Sequence, residues 1–312
     1  MTDLSDDRDS GHLAPQSDAA DVEELEPHLP STAAAVHEVI RRAGEKEMDR
    51  DGMALMWSAI AGGITMATSF MARGLLHAHL PETEVGFLFE AMGYTVGFIF
   101  VICAGQQLFT ENTVTPVLPL MSQPRLSKLW RVLRLWGIVL AGNTIGGAVA
   151  AAVFAWMPLF DAETSESFAQ IGLHLIGKPA GEMFAGGIVS GWLIATLVWA
   201  MAAAPQARLP LIFLATWIIS LGDFPHVVAG TVEVLYLVFL GNEGLVAVLG
   251  EFWLPTLAGN VIGGTLIFAL VAHAQVRADV EAHPSDHGGS GAGKMGDGGM
   301  GKAKGAPPRG AP

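Results

Sequence analysis

The sequence predicts an all-α membrane protein of six spans, built from two inverted three-helix repeats whose middle helices are both broken. Three observations carry this. The 312-residue chain is 51% hydrophobic and only 15% charged, where a soluble domain averages about 25% charged, and its mean hydropathy is positive. The apolar residues fall in long blocks of the length a bilayer requires. A sequence pattern also recurs at a fixed distance along the chain, with polar interruptions at matching points in two of the blocks.

The elements follow in chain order. Residues 1–31 form an acidic tail poor in aromatics and are expected to be disordered. Residues 32–50 read as an amphipathic helix at the membrane surface, with an ordinary solvated helix as the rival reading. The transmembrane domain is expected over 51–278, and a Gly-rich tail over 279–312 is expected to be disordered. Neither end carries the basic-then-apolar pattern of a cleaved signal peptide. Four blocks, about 55–78, 134–157, 183–203 and 252–275, each fit one spanning helix. Two others, 85–121 and 209–241, are too long for one helix and too short for two with a loop. Each holds a polar interruption, 105-GQQLFTEN-112 and 222-GDFPH-226, so each reads as a broken helix. Lys and Arg cluster before the first span (Arg41, Arg42, Lys46, Arg50), after the second (Arg125, Lys128, Arg131, Arg134), after the fourth (Arg208) and after the sixth (Arg277). The positive-inside rule then puts both termini in the cytoplasm. Cys103 is the sole cysteine, which excludes an intrachain disulfide and a cysteine metal cluster; no cofactor, metal or nucleic acid is expected.

The repeat is explicit. 140-LAGNTIGGAVAAAVFAW-156 matches 257-LAGNVIGGTLIFALVAH-273 at an offset of 117 (143 to 260), and Gly105 and Gly222 share that offset. Gly62-Gly63-Ile64 echoes Gly186-Gly187-Ile188 at an offset of 124. Three spans used twice, about 55–157 and 183–275, invert the second copy relative to the first. In such folds the breaks meet near the midplane, where irregular backbone survives only in protein or beside a water-filled cavity.

Pro225 suits the first turn of a new half-helix near His226, and Thr110 suits the cap of one beginning at Glu111. Two half-helix N-termini with free N–H groups would then point inward and attract small anions. Between them sit Thr110 and His226. His226 is either a transport residue or a buried, hydrogen-bonded histidine, and Thr110 is either a site residue or a plain cap. Asp223 reads as a cap or a partner for the backbone at the break. Glu90, Glu111 and Glu233 line a vestibule or pair with polar neighbours; both readings stay open. Asn143 and Asn260 read as interhelical hydrogen-bonders that hold the broken loops.

At Leu108-Phe109-Thr110, His226, the two GN-x-x-GG segments and 186-GGIVSGWL-193 the chain resembles the formate/nitrite transporters, over about residues 50–278. The wording 105-GQQLFTENTV-114 is similar to a less-studied branch of that family. The resemblance implies an aquaporin-like six-helix protomer in the cell (inner) membrane, assembled as a homopentamer with one pore per subunit. It implies transport of small monovalent weak-acid anions such as formate or nitrite, with protonation of the anion near a central Thr110–His226 pair. Leu108 belongs to one apolar constriction, with Phe109, Tyr94, Phe98 and Ile219 as further pathway residues and Lys178 in the outer vestibule. The chain departs from the family where Pro225 and Val227 flank the histidine, and where Gly191 or Trp192 stands in place of a span-four asparagine.

Rival classes lose on motifs. A water or glycerol channel usually carries Asn-Pro-Ala at both breaks, and none occurs here. A metalloprotease needs His-Glu-x-x-His, also absent. An intramembrane aspartyl protease needs two aspartates, and Asp223 stands alone. A pore that has lost transport and serves as a sensor or scaffold is the remaining alternative.

Overall fold

The computed structural model describes residues 32–282. Both expected tails lie outside the described residues, except that the last helix continues through Ala282. Among the described residues every regular element is helical. α1 (Thr32–Asp49) buries Val36, His37, Ile40, Gly44 and Met48 along one stripe. That stripe packs on one end of the bundle, and this contact goes against a freely solvated helix. The spans are α2 (Gly52–His79), α3 (Glu84–Cys103), α5 (Leu126–Trp156), α7 (Ala180–Ala203) and α10 (Leu245–Ala278). All five are long and apolar enough to cross a bilayer. α4 (Val117–Ser122) completes the first broken helix, and α8 (Arg208–Leu221) with α9 (Val227–Leu240) forms the second. Exposed Trp57, Val149 and Leu266 on the outer faces suit lipid or a neighbouring subunit.

α5 begins eight residues before the apolar block at 134, because its first turns are amphipathic. There Lys128 reaches Glu45 at 3.4 Å, and Arg131 pairs with Asp49, clamping α1 against the bundle. Glu38, on α1, is held down at about 2, first by its hydrogen bond from Arg41, and so stays ionised. One element was not anticipated. α6 (Ala162–Ile176) lies between spans three and four, capped by Asp161, whose carboxylate accepts from Thr164 N at 2.8 Å. Its buried Phe168, Ile171 and Leu175 carry a helical period that hydropathy over a span-length window averages away.

The two breaks are re-entrant excursions. Arg208, at the start of α8, donates to the Ile102 carbonyl at the end of α3 (2.6 Å), and Trp217 donates to Leu88 O (3.2 Å). α3 and α8 therefore run antiparallel over most of their length, and each loop turns back inward from its helix end. Both helices end in the same motif. Gln106 N bonds Val101 O and Gly105 N bonds Ile102 O; Phe224 N bonds Ile219 O and Asp223 N bonds Ser220 O. This is a Schellman stop, whose left-handed residue is Gly105 (φ 63°) in one repeat and Asp223 (φ 50°) in the other. The equivalence runs 105 to 223, an offset of 118, one more than aligning Gly105 with Gly222 suggests.

The first and fourth spans also correct the expected register. A side chain on Gly146 would collide with the Ile60 carbonyl, and one on Gly263 with the Ile188 carbonyl. Asn143 donates to Ala59 O and Asn260 to Gly187 O. Both pairs give an offset of 128, against 124 from the Gly-Gly-Ile echo. The difference is about one helical turn, so the same face is small in both registers and the sequence echo settles one turn away from the structural match.

Each asparagine ties three backbone groups together. Asn143 accepts from Phe109 N (2.9 Å) and donates to Ala59 O and Gln107 O (both 2.8 Å). Asn260 accepts from Val227 N (2.9 Å) and donates to Gly187 O (2.9 Å), with Pro225 O at 3.4 Å and Ser190 Oγ at 3.0 Å. Asn143→Ala or Asn260→Ala strands buried amide and carbonyl groups at about 1–3 kcal/mol each. Each variant is expected to lower the thermal midpoint of the detergent-solubilised protein by several degrees. An unchanged midpoint would show that the loops are held by other contacts.

Candidate functional site

The inward loops bring Thr110 and His226 into contact at the centre of the bundle. Thr110 Oγ1 and His226 Nε2 are 2.7 Å apart, at 0% and 1% exposure. His226 is itself the N-cap of α9, with Nδ1 accepting from Ala229 N at 3.3 Å. An imidazolium has no acceptor nitrogen, so this cap requires the neutral ring with its hydrogen on Nε2. Nε2–H then donates to Thr110 Oγ1, and the Thr110 hydroxyl hydrogen is free for a guest.

Of the two readings of Thr110, the plain cap does not hold. Residues Glu111–Thr113 form only a 3₁₀ turn, Thr110 makes no side-chain cap bond, and the regular half-helix starts later, at Val117. Side chains take some of the amides expected to be free at the breaks. Asn260 takes Val227 N–H, His226 takes Ala229 N–H, and Asn143 takes Phe109 N–H. Free amides beside an apolar constriction would be costly, and the fold satisfies these three with its own side chains.

Apolar side chains close around the pair. Phe98 meets the His226 ring edge-on at 5.0 Å, and Tyr94 stacks on Phe98 at 5.2 Å. Leu108 and Ile219 are fully buried in the same cluster. Phe109 is not brought to His226; its ring packs against Trp136 at 6.0 Å and props the loop from behind. Gly191 lies against the Asn260 backbone, with no room for a side chain, and Trp192 faces outward. Neither replaces a span-four asparagine at the centre. In this chain Ser190 donates to Pro225 O (2.6 Å) and steadies the second loop.

Beside the second loop Lys178 donates to Asp223 O (2.7 Å) and pairs with the Asp223 carboxylate, which also meets His174 Nε2 at 2.7 Å. Asp223 is thus an ion-pair partner in a left-handed backbone position, and the capping role falls to His226. Sequence reasoning passed over Arg73, whose Nε donates to Glu90 at 2.9 Å while His77 holds the other Glu90 oxygen at 2.9 Å. A lone arginine within a span was the available signal. On the side of α1 Gln107 links the first loop to that helix by donating to Glu47 (2.8 Å), and accepts from Asn112 (2.9 Å). Among the described residues no group of His, Cys, Asp and Glu is arranged to hold a metal ion.

Comparison with known proteins bears on the fold and the family. The "Inner membrane protein YfdC" of Escherichia coli (strain K12) is 52% identical over 255 residues, covering 82% of each chain. The "Formate-nitrite transporter" of Plasmodium falciparum (isolate 3D7) is 24% identical over 73% of this chain and 79% of its own. Among solved structures, a "Pentameric formate channel with formate bound" superposes with a TM-score of 0.62 at 18% identity, over 73% of this chain and 98% of that one. An "FNT family ion channel" gives 0.64 at 19% identity, over 78% and 96%. At these identities the two structures establish the fold. The family model described as "Formate/nitrite transporter" matches residues 34–274, and the chain belongs to that family.

Proposed function

We propose that the protein is a channel or transporter for small monovalent weak-acid anions such as formate or nitrite, pH-dependent, with the anion protonated near the Thr110–His226 pair. The observation that carries this reading is a single polar contact, Thr110 to His226, sealed between apolar side chains at the centre of the bundle. A bare anion crossing such a constriction faces tens of kcal/mol in the idealised Born limit. Protonating a carboxylate of pKa near ~3.5–4 at neutral pH costs only about 4–5 kcal/mol. The neutral acid is therefore the species that passes, and Thr110 and His226 offer it hydrogen bonds where Phe98, Leu108 and Ile219 offer none. The protein would work as a homopentamer with one pore per subunit, in the inner membrane, with both termini cytoplasmic. The solved channel whose name says pentameric and the relative whose name says inner membrane support that assembly and location. The Lys and Arg distribution supports the orientation.

The neutral, capped imidazole makes His226 a polar way-point. In proteoliposomes, His226→Phe is expected to cut formate uptake by at least about tenfold, by a similar factor at acid and neutral pH, the loss of one well-placed hydrogen-bonding group in an apolar site. The oligomer should remain assembled by size-exclusion chromatography. Uptake equal to wild type would remove His226 from the pathway. Leu108→Ala should widen the constriction and raise the lactate-to-formate uptake ratio by roughly tenfold, the scale on which one or two methylenes discriminate. An unchanged ratio would place the size filter elsewhere.

A further inference from the structure

A cavity of about 20 Å³ lies against His226 on the side facing the outer mouth. It takes one water-sized group, the size of one oxygen of a small oxyanion. Arg73, Tyr94, Ser220, Asp223 and Glu233 line it together with His226. Three of these side chains are not used up by the architecture. Ser220 is 7% exposed, and its hydroxyl has no hydrogen-bond partner among the described residues. Buried hydroxyls are almost always bonded, so an open one on a cavity wall points to a guest. Arg73 spends Nε on Glu90, and its two terminal nitrogens make no further hydrogen bond among the described residues. Glu233, two turns along α9 from His226, is 4% exposed and makes no hydrogen bond or ion pair among them.

His226 cannot lend a proton in this arrangement, because Nδ1 is an acceptor and Nε2–H is committed to Thr110. If a neutral acid is what crosses the constriction, the proton must come from another group on the approach.

We propose that this cavity is a proton-exchange site, in which Arg73 and Ser220 hold one oxygen of a small weak-acid anion and Glu233 protonates it just before it passes His226. The inference rests on the anion-transport reading above. In the step the Glu233 O–H bond breaks and an O–H bond forms on the anion. The cavity keeps its net charge: Arg73 faces the incoming anion and protonated Glu233 before the transfer, and the Glu233 carboxylate and a neutral acid after it. Glu233 recovers its proton from water at the outer mouth. The charged groups facing Glu233 are Arg73 from α2, Glu90 from α3, Asp223 from the second loop and Lys178 ahead of α7. His77 is engaged with Glu90 and His174 with Asp223. α5 and α10 meet α9 through apolar contacts at Gly147 and Phe252, and α6 through Gly172 and Leu175.

The test is formate uptake by the full chain in proteoliposomes at about pH 5.5 and about pH 7.5, for wild type, Glu233→Gln and Glu233→Asp. At the higher pH, where almost no formate is protonated in solution, Glu233→Gln is expected to lose at least about tenfold, and up to about a hundredfold, the lower end for general acid catalysis. At the lower pH its loss is expected to stay under about threefold, and Glu233→Asp should restore most of the uptake at both. A wild-type profile in Glu233→Gln, or an equal loss at both pH values, overturns the inference. No formate uptake by the wild type would instead remove the transport reading, and this inference with it. Should Glu233→Gln fail to assemble, infrared spectroscopy decides. The carbonyl band of a protonated carboxyl group is expected to fall when formate is added to the wild type, and to shift in Glu233→Asp. A band that formate leaves unchanged overturns the proposal.

Discussion

The architecture depends on satisfying irregular backbone inside a membrane. Two loops leave their helix ends and turn inward, so their amide and carbonyl groups sit where no water competes for them. Each such group left bare costs several kcal/mol in hydrocarbon. Asn143 and Asn260 each bind one loop amide, one loop carbonyl and one carbonyl of a neighbouring span. An asparagine side chain carries both an acceptor and two donors, which is why this residue type can do the whole task from one position. It reaches only if the spans nearly touch. Gly146 on Ile60 and Gly263 on Ile188 supply that approach, since no Cβ fits there. Sequence motif, helix packing and loop position are one constraint seen at three levels.

With three of the amides at the breaks taken by side chains, charged side chains on either side of the pair share in the attraction of anions. On one side of the central pair Arg73 and Lys178 face Glu90, Asp223 and Glu233, and on the other Arg208 and Glu47 face Glu111. Neither vestibule is a simple basic funnel. Cations embedded among carboxyl groups hold an anion weakly, and a permeant ion must leave as readily as it enters. Arg208 also donates to the last turn of α3, where a positive charge favours the helix end. One residue thus fastens α8 to α3 and places a positive charge near Glu111.

The spans, the two breaks, the asparagine pair and the central Thr110–His226 pairing could be read from the chain, because block length, an exact repeat and intramembrane polar residues are strong signals. Finer registers could not. The Gly-Gly-Ile echo aligned spans one and four a turn away from their structural match, since residues four apart share a helix face. Thr110 suits a cap by type as well as a site residue, and the fold decides against the cap by bonding its hydroxyl to His226, a partner 116 positions away. Phe109 sat beside Thr110 in the chain and so joined the predicted pathway, but Trp136 draws its ring to the other side. α6 escaped notice because amphipathic helices are brief and mild against long apolar blocks. Arg73, Ser220 and Glu233 share a cavity only through the fold, and no spacing along the chain brings them together.

The repeat also explains how a symmetric scaffold yields a directional pathway. Matching hydrogen bonds equate Gln107 with Pro225 and Phe109 with Val227, so Leu108 stands where His226 stands in the other half. One position therefore supplies an apolar side chain from one repeat and the imidazole from the other. The Schellman stops diverge in the same way: Gly105 holds its left-handed turn with no side chain, while Asp223 accepts a less favourable backbone and returns an ion pair with Lys178 and a contact with His174. The scaffold needs only the turn and the two asparagine anchors to be alike. What distinguishes one approach from the other at these positions lies in side chains the backbone leaves free, and there the two repeats differ in charge, hydrogen bonding and size.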